Sequence, residues 1–217
     1  NCDIDTRKAR LPDALVCIGD QGGEMIKLFK AKPPRKRVYI HVGVGKTGTS
    51  ALQAFLSSNA DALEQLGLSY PFREALVTIT SGTCSGNLVH VMAKHAAADR
   101  FPAQVSGLVE KYLTKVIDDA IEAAQKDTVI LSGECIARYL PPKILTYFKG
   151  LARRHDVTFV GFVRDVYDLT LSRWKQAVKT GKGGNLPDVF DRMLQQGLTS
   201  LSNLCLLINA GLDVRVR

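Results

Sequence analysis

Hydrophobic residues in this chain follow two patterns, short β-rich runs and longer stretches with helical spacing. The short runs cover residues 38–42, 128–132 and 157–163, and they lack the polar alternation of strands that have one solvated face. Uninterrupted apolar strands are typical of parallel sheets that are buried on both faces. We therefore predict three central parallel strands, with shorter strands at residues 68–70 and 212–216.

Between these runs, apolar positions recur every three or four residues, as they do on the buried face of a helix. The longest such stripe runs from Val105 to Ala124. Further helices are predicted near residues 52–66, 88–98, 141–153 and 166–179, and as two separate helices from residue 187 and over 202–210. This alternation of strands and helices predicts a three-layer α/β domain with a mainly parallel sheet of about five strands.

The helix over residues 166–179 has its own predicted start and buried side. Asp165 stands where an N-cap would accept hydrogen bonds from the first amides. The apolar residues of this helix that share one side are Tyr167, Leu171, Trp174 and Val178. We expect that side to face the core.

The first 36 residues carry little periodic pattern and end in a basic, proline-containing run over residues 30–37. A charged run of this kind is typical of a solvated connector. We therefore predict an N-terminal extension with a basic linker over residues 1–36 and the α/β domain over residues 37–217.

Composition and charge narrow the class of protein. The chain has 217 residues, of which 46% are hydrophobic and 23% charged, as in ordinary globular domains. No apolar run is long enough to span a membrane. The five cysteines are odd in number and scattered, which favours neither disulfides nor zinc and predicts a reducing compartment, the cytoplasm. A net charge of +8 favours anionic partners.

A glycine-rich loop over residues 43–50 follows the first predicted strand and precedes a helix. Such a loop offers free backbone N–H groups and a helix N-terminus to a phosphate. The kinase and GTPase fingerprint needs a glycine where this chain has Ile40, and the strand over residues 128–131 is followed by Ser132-Gly133-Glu134 instead of a magnesium-binding Asp. These differences count against metal-assisted phosphoryl transfer.

The run Lys46-Thr47-Gly48-Thr49-Ser50 resembles the 5′-phosphosulfate loop of sulfotransferases that use 3′-phosphoadenosine 5′-phosphosulfate (PAPS), in its bacterial type. In that family an Arg at the end of a later strand and a Ser eight residues further on bind the 3′-phosphate. Arg164 and Ser172 reproduce this spacing. The two matches lie in separate parts of the chain.

The resemblance implies a P-loop-like fold, PAPS as cofactor, no metal in the site and a bacterial cytoplasmic enzyme. It also implies which residues bind the cofactor: Gly45, Lys46, Thr47, Gly48, Thr49, Ser50, Arg164 and Ser172. Family members commonly continue past a strand such as 212–216 into a segment that closes over the nucleotide. We therefore expect that segment either to be missing after Arg217 or to be elsewhere.

Sulfuryl transfer needs a positive charge at the leaving oxygen and a base for the acceptor's proton. Lys46 suits the first task. Glu134 is the first candidate for the base because it follows a strand at the predicted ligand edge, although it could instead be a structural carboxylate paired with Lys46 or Arg164. His90 is the second candidate, and His41 is expected to serve packing alone.

The acceptor is not identified by any motif. A basic stripe of Lys175, Lys179 and Lys182 is either a solvated helix face or a guide for an anionic acceptor such as a glycan or lipid head group. Two other functions stay open, a nucleotide kinase with an unusual loop and a non-catalytic nucleotide- or polyanion-binding module. We expect no nucleic-acid partner and make no prediction of oligomeric state.

Overall fold

A five-stranded parallel sheet forms the centre of the fold. The computed structural model describes residues 34–72, 86–100, 104–181 and 185–217. In chain order the elements are β1 (Arg37–His41), α1 (Thr49–Ser58), α2 (Ala60–Gln65), β2 (Leu68–Ser69), α3 (Asn87–Ala98), α4 (Val105–Ala123), β3 (Thr128–Ser132), α5 (Cys135–Arg138), α6 (Pro142–Arg154), β4 (Asp156–Gly161), α7 (Val166–Lys179), α8 (Leu186–Asn209) and β5 (Asp213–Val216). The strand order is β2-β3-β1-β4-β5, with every neighbouring pair parallel. The predicted α/β class and five-stranded sheet are confirmed.

β1 occupies the middle of the sheet, and its register aligns its carboxyl end with those of β3 and β4. Its last residue, His41, pairs with Ser132 of β3 and with Val160 of β4. Because parallel strands end at the same edge, the segments that follow these three residues open side by side. The candidate site lies at this edge.

One face of the sheet is fully buried and the other is not. Val38, Ile40, Val129, Leu131 and Phe159 are buried in the same apolar core as the stripe of α4, which confirms that stripe. On the opposite face, Tyr39, Ile130 and Thr158 are only half-buried. The expectation of strands buried on both faces is therefore only partly met. An apolar strand sequence does not show whether each face of the sheet is buried completely or in part.

The end of the basic run is hydrogen-bonded to the domain, while the side chains of Arg35 and Arg37 are exposed. Lys36 Nζ donates to the carbonyl oxygens of Ile121 (2.9 Å) and Ala124 (2.6 Å), at the end of α4. Arg35 Nη2 donates to the carbonyl of His155 (3.2 Å), just after α6. A cation is favourable at a helix C-terminus, where carbonyl groups lack partners. Most of the predicted N-terminal extension lies outside the described residues.

The structure corrects two predictions about helices and adds one helix that was not predicted. In α7 the buried residues are Leu169 and Thr170, whereas Tyr167 and Val178 of the predicted apolar side are exposed. The two helices expected after residue 187 form the single helix α8 of 24 residues, which runs through Gly197. The short helix α5 was not predicted at all.

Contact between α7 and α8 explains the buried side of α7. A Cβ on Gly197 would lie 3.3 Å from Leu169 Cδ2, so the glycine allows α8 to approach the buried side of α7 closely.

The predicted N-cap of α7 is confirmed, since the Asp165 carboxylate accepts from the amides of Tyr167 and Asp168. Within the described ranges, the helices are too short or too polar for a membrane span.

Candidate functional site

The connections that leave β1 and β4 run in opposite directions along the sheet. β1 leads to β2 at one edge, and β4 leads to β5 at the other. In open α/β sheets, ligands bind in the crevice outside the strand ends where the connections diverge in this way. A cavity of about 890 Å³ lies there, lined by the glycine loop, the segment after β3, and the inner sides of α7 and α8.

The glycine loop is held tightly over the end of β1. A Cβ on Gly43 would lie 2.4 Å from Thr49 Cγ2 and 2.6 Å from His41 Nε2, so only glycine fits there. Thr47 Oγ1 donates to the carbonyl of Val44 at 2.6 Å and ties the turn together. Lys46 has a φ of 76°, a left-handed conformation that costs a residue with a side chain about 1–2 kcal/mol. Strain of this kind is typical of ligand-binding loops.

The backbone amides of the loop are available to a ligand. Among the bonds between described residues, none uses an N–H group of residues 45–50 as its donor. Gly48 is the N-cap of α1, in a left-handed conformation with a φ of 87°, and no side chain caps this helix. Successive free amides at a helix N-terminus attract an anion.

Lys46 and Glu134 both line the cavity, yet they are not paired with each other. Lys46 Nζ donates to Gln176 Oε1 of α7. Glu134 forms no ion pair within the described residues, and its Oε2 lies 3.4 Å from where a Cβ of Gly45 would stand. The carboxylate therefore reaches the loop without neutralising the lysine.

The structure brings most of the predicted site residues together. Those that line the cavity are Gly45, Lys46, Gly48, Thr49, Ser50, Glu134 and Ser172. Thr47 supports the loop from outside the lining, and His90 lies on α3, where its neighbour Val89 contributes to the wall instead.

Arg164 does not line the cavity. It is exposed and forms an ion pair with Asp168 (3.5 Å), the arrangement expected if it were only a surface residue. The side chains of the pair are 44% and 60% exposed, and such pairs contribute only about 0–1 kcal/mol. Arg164 can therefore turn toward a ligand at little cost.

Two arginines in the cavity wall were missed by the sequence analysis. Arg138 ends α5, four residues after Glu134, and Arg173 directly follows Ser172 on α7. With Lys46 they give the wall three cationic side chains against the one carboxylate of Glu134. The signal in the sequence was that each arginine lies within four residues of a candidate site residue. Arg138 could not be placed in the wall from sequence, because helix α5 was not predicted.

Comparison with known proteins adds a distant likeness. No protein-family model matches the chain, and a search of curated protein sequences finds no significant match. Five solved chains are similar in structure, among them a sulfotransferase domain from the curacin biosynthetic pathway. That domain is 16% identical with a TM-score of 0.42, over 86% of this chain and 68% of its own. A likeness this distant transfers no activity to this chain.

Behind the loop lies a buried polar network that sequence analysis did not predict. His41 Nδ1 is 2.8 Å from Ser132 Oγ, which also accepts a hydrogen bond from Gln53 Nε2 (3.0 Å). Burial lowers the pKa of His41 to about 4, so the ring is neutral at pH 7. His41 is thus more than packing, since it joins the end of β1 to the end of β3.

Cysteine and metal-ligating side chains are two other kinds of possible site group within the described part of the chain. Cys135 lines the cavity, but burial raises the pKa of its thiol to about 12, so it is protonated and a poor nucleophile at pH 7. No cluster of three or more metal-ligating side chains occurs among the described residues.

Proposed function

We propose that this chain is a sulfotransferase that moves a sulfuryl group from PAPS to a hydroxyl or amine. The observation that supports it best is that the glycine-loop motif and Ser172 of the second motif, which come from separate parts of the sequence, line the same cavity, although Arg164 does not. The loop residues Lys46 and Thr49 and the helix residue Ser172 line one cavity, together with Glu134. If either motif matched the family by chance, its residues would not be expected to line the same cavity as those of the other.

The residues present fit the cofactor's chemistry. The unbonded amides of residues 45–50 offer donors for the 5′-phosphate, and Gly43 keeps the loop clear of side-chain bulk. When bound, PAPS supplies an activated sulfuryl group on a phosphate leaving group. Lys46 would offset the negative charge that develops on the oxygen between sulfur and phosphorus. To do so, its Nζ would give up the hydrogen bond to Gln176 Oε1 and donate to that bridging oxygen instead.

Glu134 is the proposed general base. As the acceptor oxygen or nitrogen forms its bond to sulfur and the bond from sulfur to the bridging oxygen breaks, Glu134 takes the acceptor's proton. Its freedom from ion pairs supports this role over that of a structural carboxylate paired with Lys46 or Arg164. His90 is the alternative base, and it would need to reach the cavity from α3.

Binding of the 3′-phosphate is assigned to Ser172 and Arg164. Ser172 already lines the cavity, whereas Arg164 would have to exchange Asp168 for the phosphate. We further propose that residues 37–217 act as one domain in a reducing compartment, the bacterial cytoplasm, in keeping with the scattered cysteines.

Calorimetric titration of 3′-phosphoadenosine 5′-phosphate, the product nucleotide, tests this function. We expect it to bind in EDTA, because Lys46, Arg164 and the loop amides supply the positive charge that its phosphates require. Mg²⁺–ATP is the matched competitor. Binding that needs Mg²⁺ or that favours ATP would point to the kinase, and tight binding of both nucleotides would point to a non-catalytic nucleotide-binding module.

A further inference from the structure

Arg138 and Arg173 stand in the wall of the cavity without an acidic partner. No carboxylate among the described residues forms an ion pair with either guanidinium group. Arg138 is exposed at the mouth of the cavity, and Arg173 is half-buried. Two unpaired cations that share one cavity repel each other, and an anion between them would remove that cost.

Helix α8 contacts Arg173 directly and the short helix that carries Arg138 through its backbone. Arg173 Nη1 donates to the carbonyl of Met193 at 3.1 Å. Gly197 leaves room for the same group, since a Cβ there would lie 3.5 Å from Nη1. The short helix that carries Arg138 is fixed through Asn203, whose Nδ2 donates to the carbonyl of Ala137 at 3.0 Å. One long helix therefore contacts the Arg173 guanidinium and the backbone next to Arg138.

The two charges lie within electrostatic reach of each other. Burial lowers the pKa of Arg173, and the positive charge of Arg138 lowers it further. Arg173 nevertheless stays charged at pH 7, because a guanidinium loses its proton only far above that pH. A planar guanidinium can bind a carboxylate, phosphate or sulfate group through two parallel hydrogen bonds.

We propose that Arg138 and Arg173 form a subsite for a negatively charged group on the acceptor, so that the acceptor is a hydroxyl or amine compound that also carries a carboxylate, phosphate or sulfate ester. This inference rests on the proposed function, because it assigns the anion to the acceptor. Arg138 lies four residues after Glu134, so an anion held there brings the rest of the acceptor near the base. Lys175 and Lys179 are exposed and do not line the cavity, so they are not assigned this role.

Inorganic sulfate is the probe, measured by its stabilisation of the protein against heat. The titration is made with 3′-phosphoadenosine 5′-phosphate at saturation and with chloride keeping the ionic strength constant. The variants are Arg138→Gln and Arg173→Gln. Arg154→Gln is the control, because it removes the same charge from a surface pair with Asp118 (3.1 Å) that lies outside the cavity lining.

We expect each cavity variant to weaken sulfate about tenfold or more, the usual effect of losing a charge-assisted contact. The control should match the wild type, and all three should keep the nucleotide affinity within about twofold. Equal sulfate affinity in all proteins would overturn the subsite. An equal loss of nucleotide and sulfate affinity in the cavity variants would also overturn it, since the arginines would then bind the nucleotide.

Two further results separate this inference from its foundation. If the wild type binds no nucleotide, the proposed function fails and the acceptor assignment fails with it, even where sulfate binding depends on the two arginines. Should Arg173→Gln not fold, Arg173→Lys replaces it, because lysine keeps the charge and loses the planar fork. An unchanged sulfate affinity in Arg173→Lys and Arg138→Gln would count against the proposal.

Discussion

Replacing Gly43 by alanine would place a methyl group where the glycine loop has no room for one. The new Cβ would lie 2.4 Å from Thr49 Cγ2 and 2.6 Å from His41 Nε2, about 1 Å short of ordinary contact at 3.4 Å. Neither neighbour can give way easily, because Thr49 starts α1 and His41 is buried in β1. The φ of Gly43 is not in the left-handed region, so any effect is one of space and not of backbone strain.

Overpacking a well-packed site usually costs about 1–3 kcal/mol. For a protein of this size, 2 kcal/mol lowers Tm by roughly 4–8 °C. Because the clash falls within the glycine loop, we also expect its amides to be displaced and nucleotide affinity to fall about tenfold or more.

Gly150→Ala is the matched control for this substitution. Gly150 lies inside α6, and nothing stands within 4 Å of its Cβ position. Alanine there should stabilise the helix by about 0.5–1 kcal/mol and leave binding unchanged. Thermal melts and nucleotide titrations of the two variants decide the question. If Gly43→Ala melted and bound like the wild type, the tight packing of the loop on His41 and Thr49 would be refuted.

Glu134, Arg164 and His41 can each be tested by substitution. Glu134→Gln should lower turnover by roughly 10²–10⁴ with nucleotide affinity and Tm nearly unchanged; retained turnover would instead favour His90, to be checked with His90→Asn. Arg164→Ala should weaken the bisphosphate nucleotide by about 2 kcal/mol more than its analogue without the 3′-phosphate, and an equal loss for both would leave Arg164 without that role. His41 has a pKa of about 4 when folded and about 6.5 when unfolded. The unfolded chain therefore takes up the proton first, and stability should fall by up to about 3 kcal/mol as the pH drops from 6.5 to 4. Denaturant melts should show that the free energy of unfolding of His41→Gln falls less between pH 6.5 and pH 4 than that of the wild type. An equal fall in both proteins would contradict this prediction.

The sheet and the glycine loop could be predicted from sequence because local patterns determine them. An apolar run, a glycine cluster and a helical stripe follow one another from Val38 to Leu56, and the structure has β1, the loop and α1 in that order. The N-cap at Asp165 was predictable for the same reason, since its partners are two and three residues away.

Features that depend on contact between distant elements could not be predicted. The apolar side of α7 pointed to Tyr167, but its packing on α8 at Gly197 buries Leu169 instead. The four residues of α5 are too few to show helical periodicity. Arg138 was missed for that reason, and Arg173 was missed because its neighbour Ser172 was the residue that the motif named.

The phosphates of a bound nucleotide show directly whether the glycine loop is its binding site. A crystal structure of the protein with 3′-phosphoadenosine 5′-phosphate should place the 5′-phosphate on the amides of residues 45–50, with Lys46 turned from Gln176 toward it. The 3′-phosphate should accept hydrogen bonds of about 2.7–2.9 Å from Ser172 and Arg164, with Arg164 released from Asp168. A nucleotide bound elsewhere, or one whose 5′-phosphate does not touch the loop, would contradict the account.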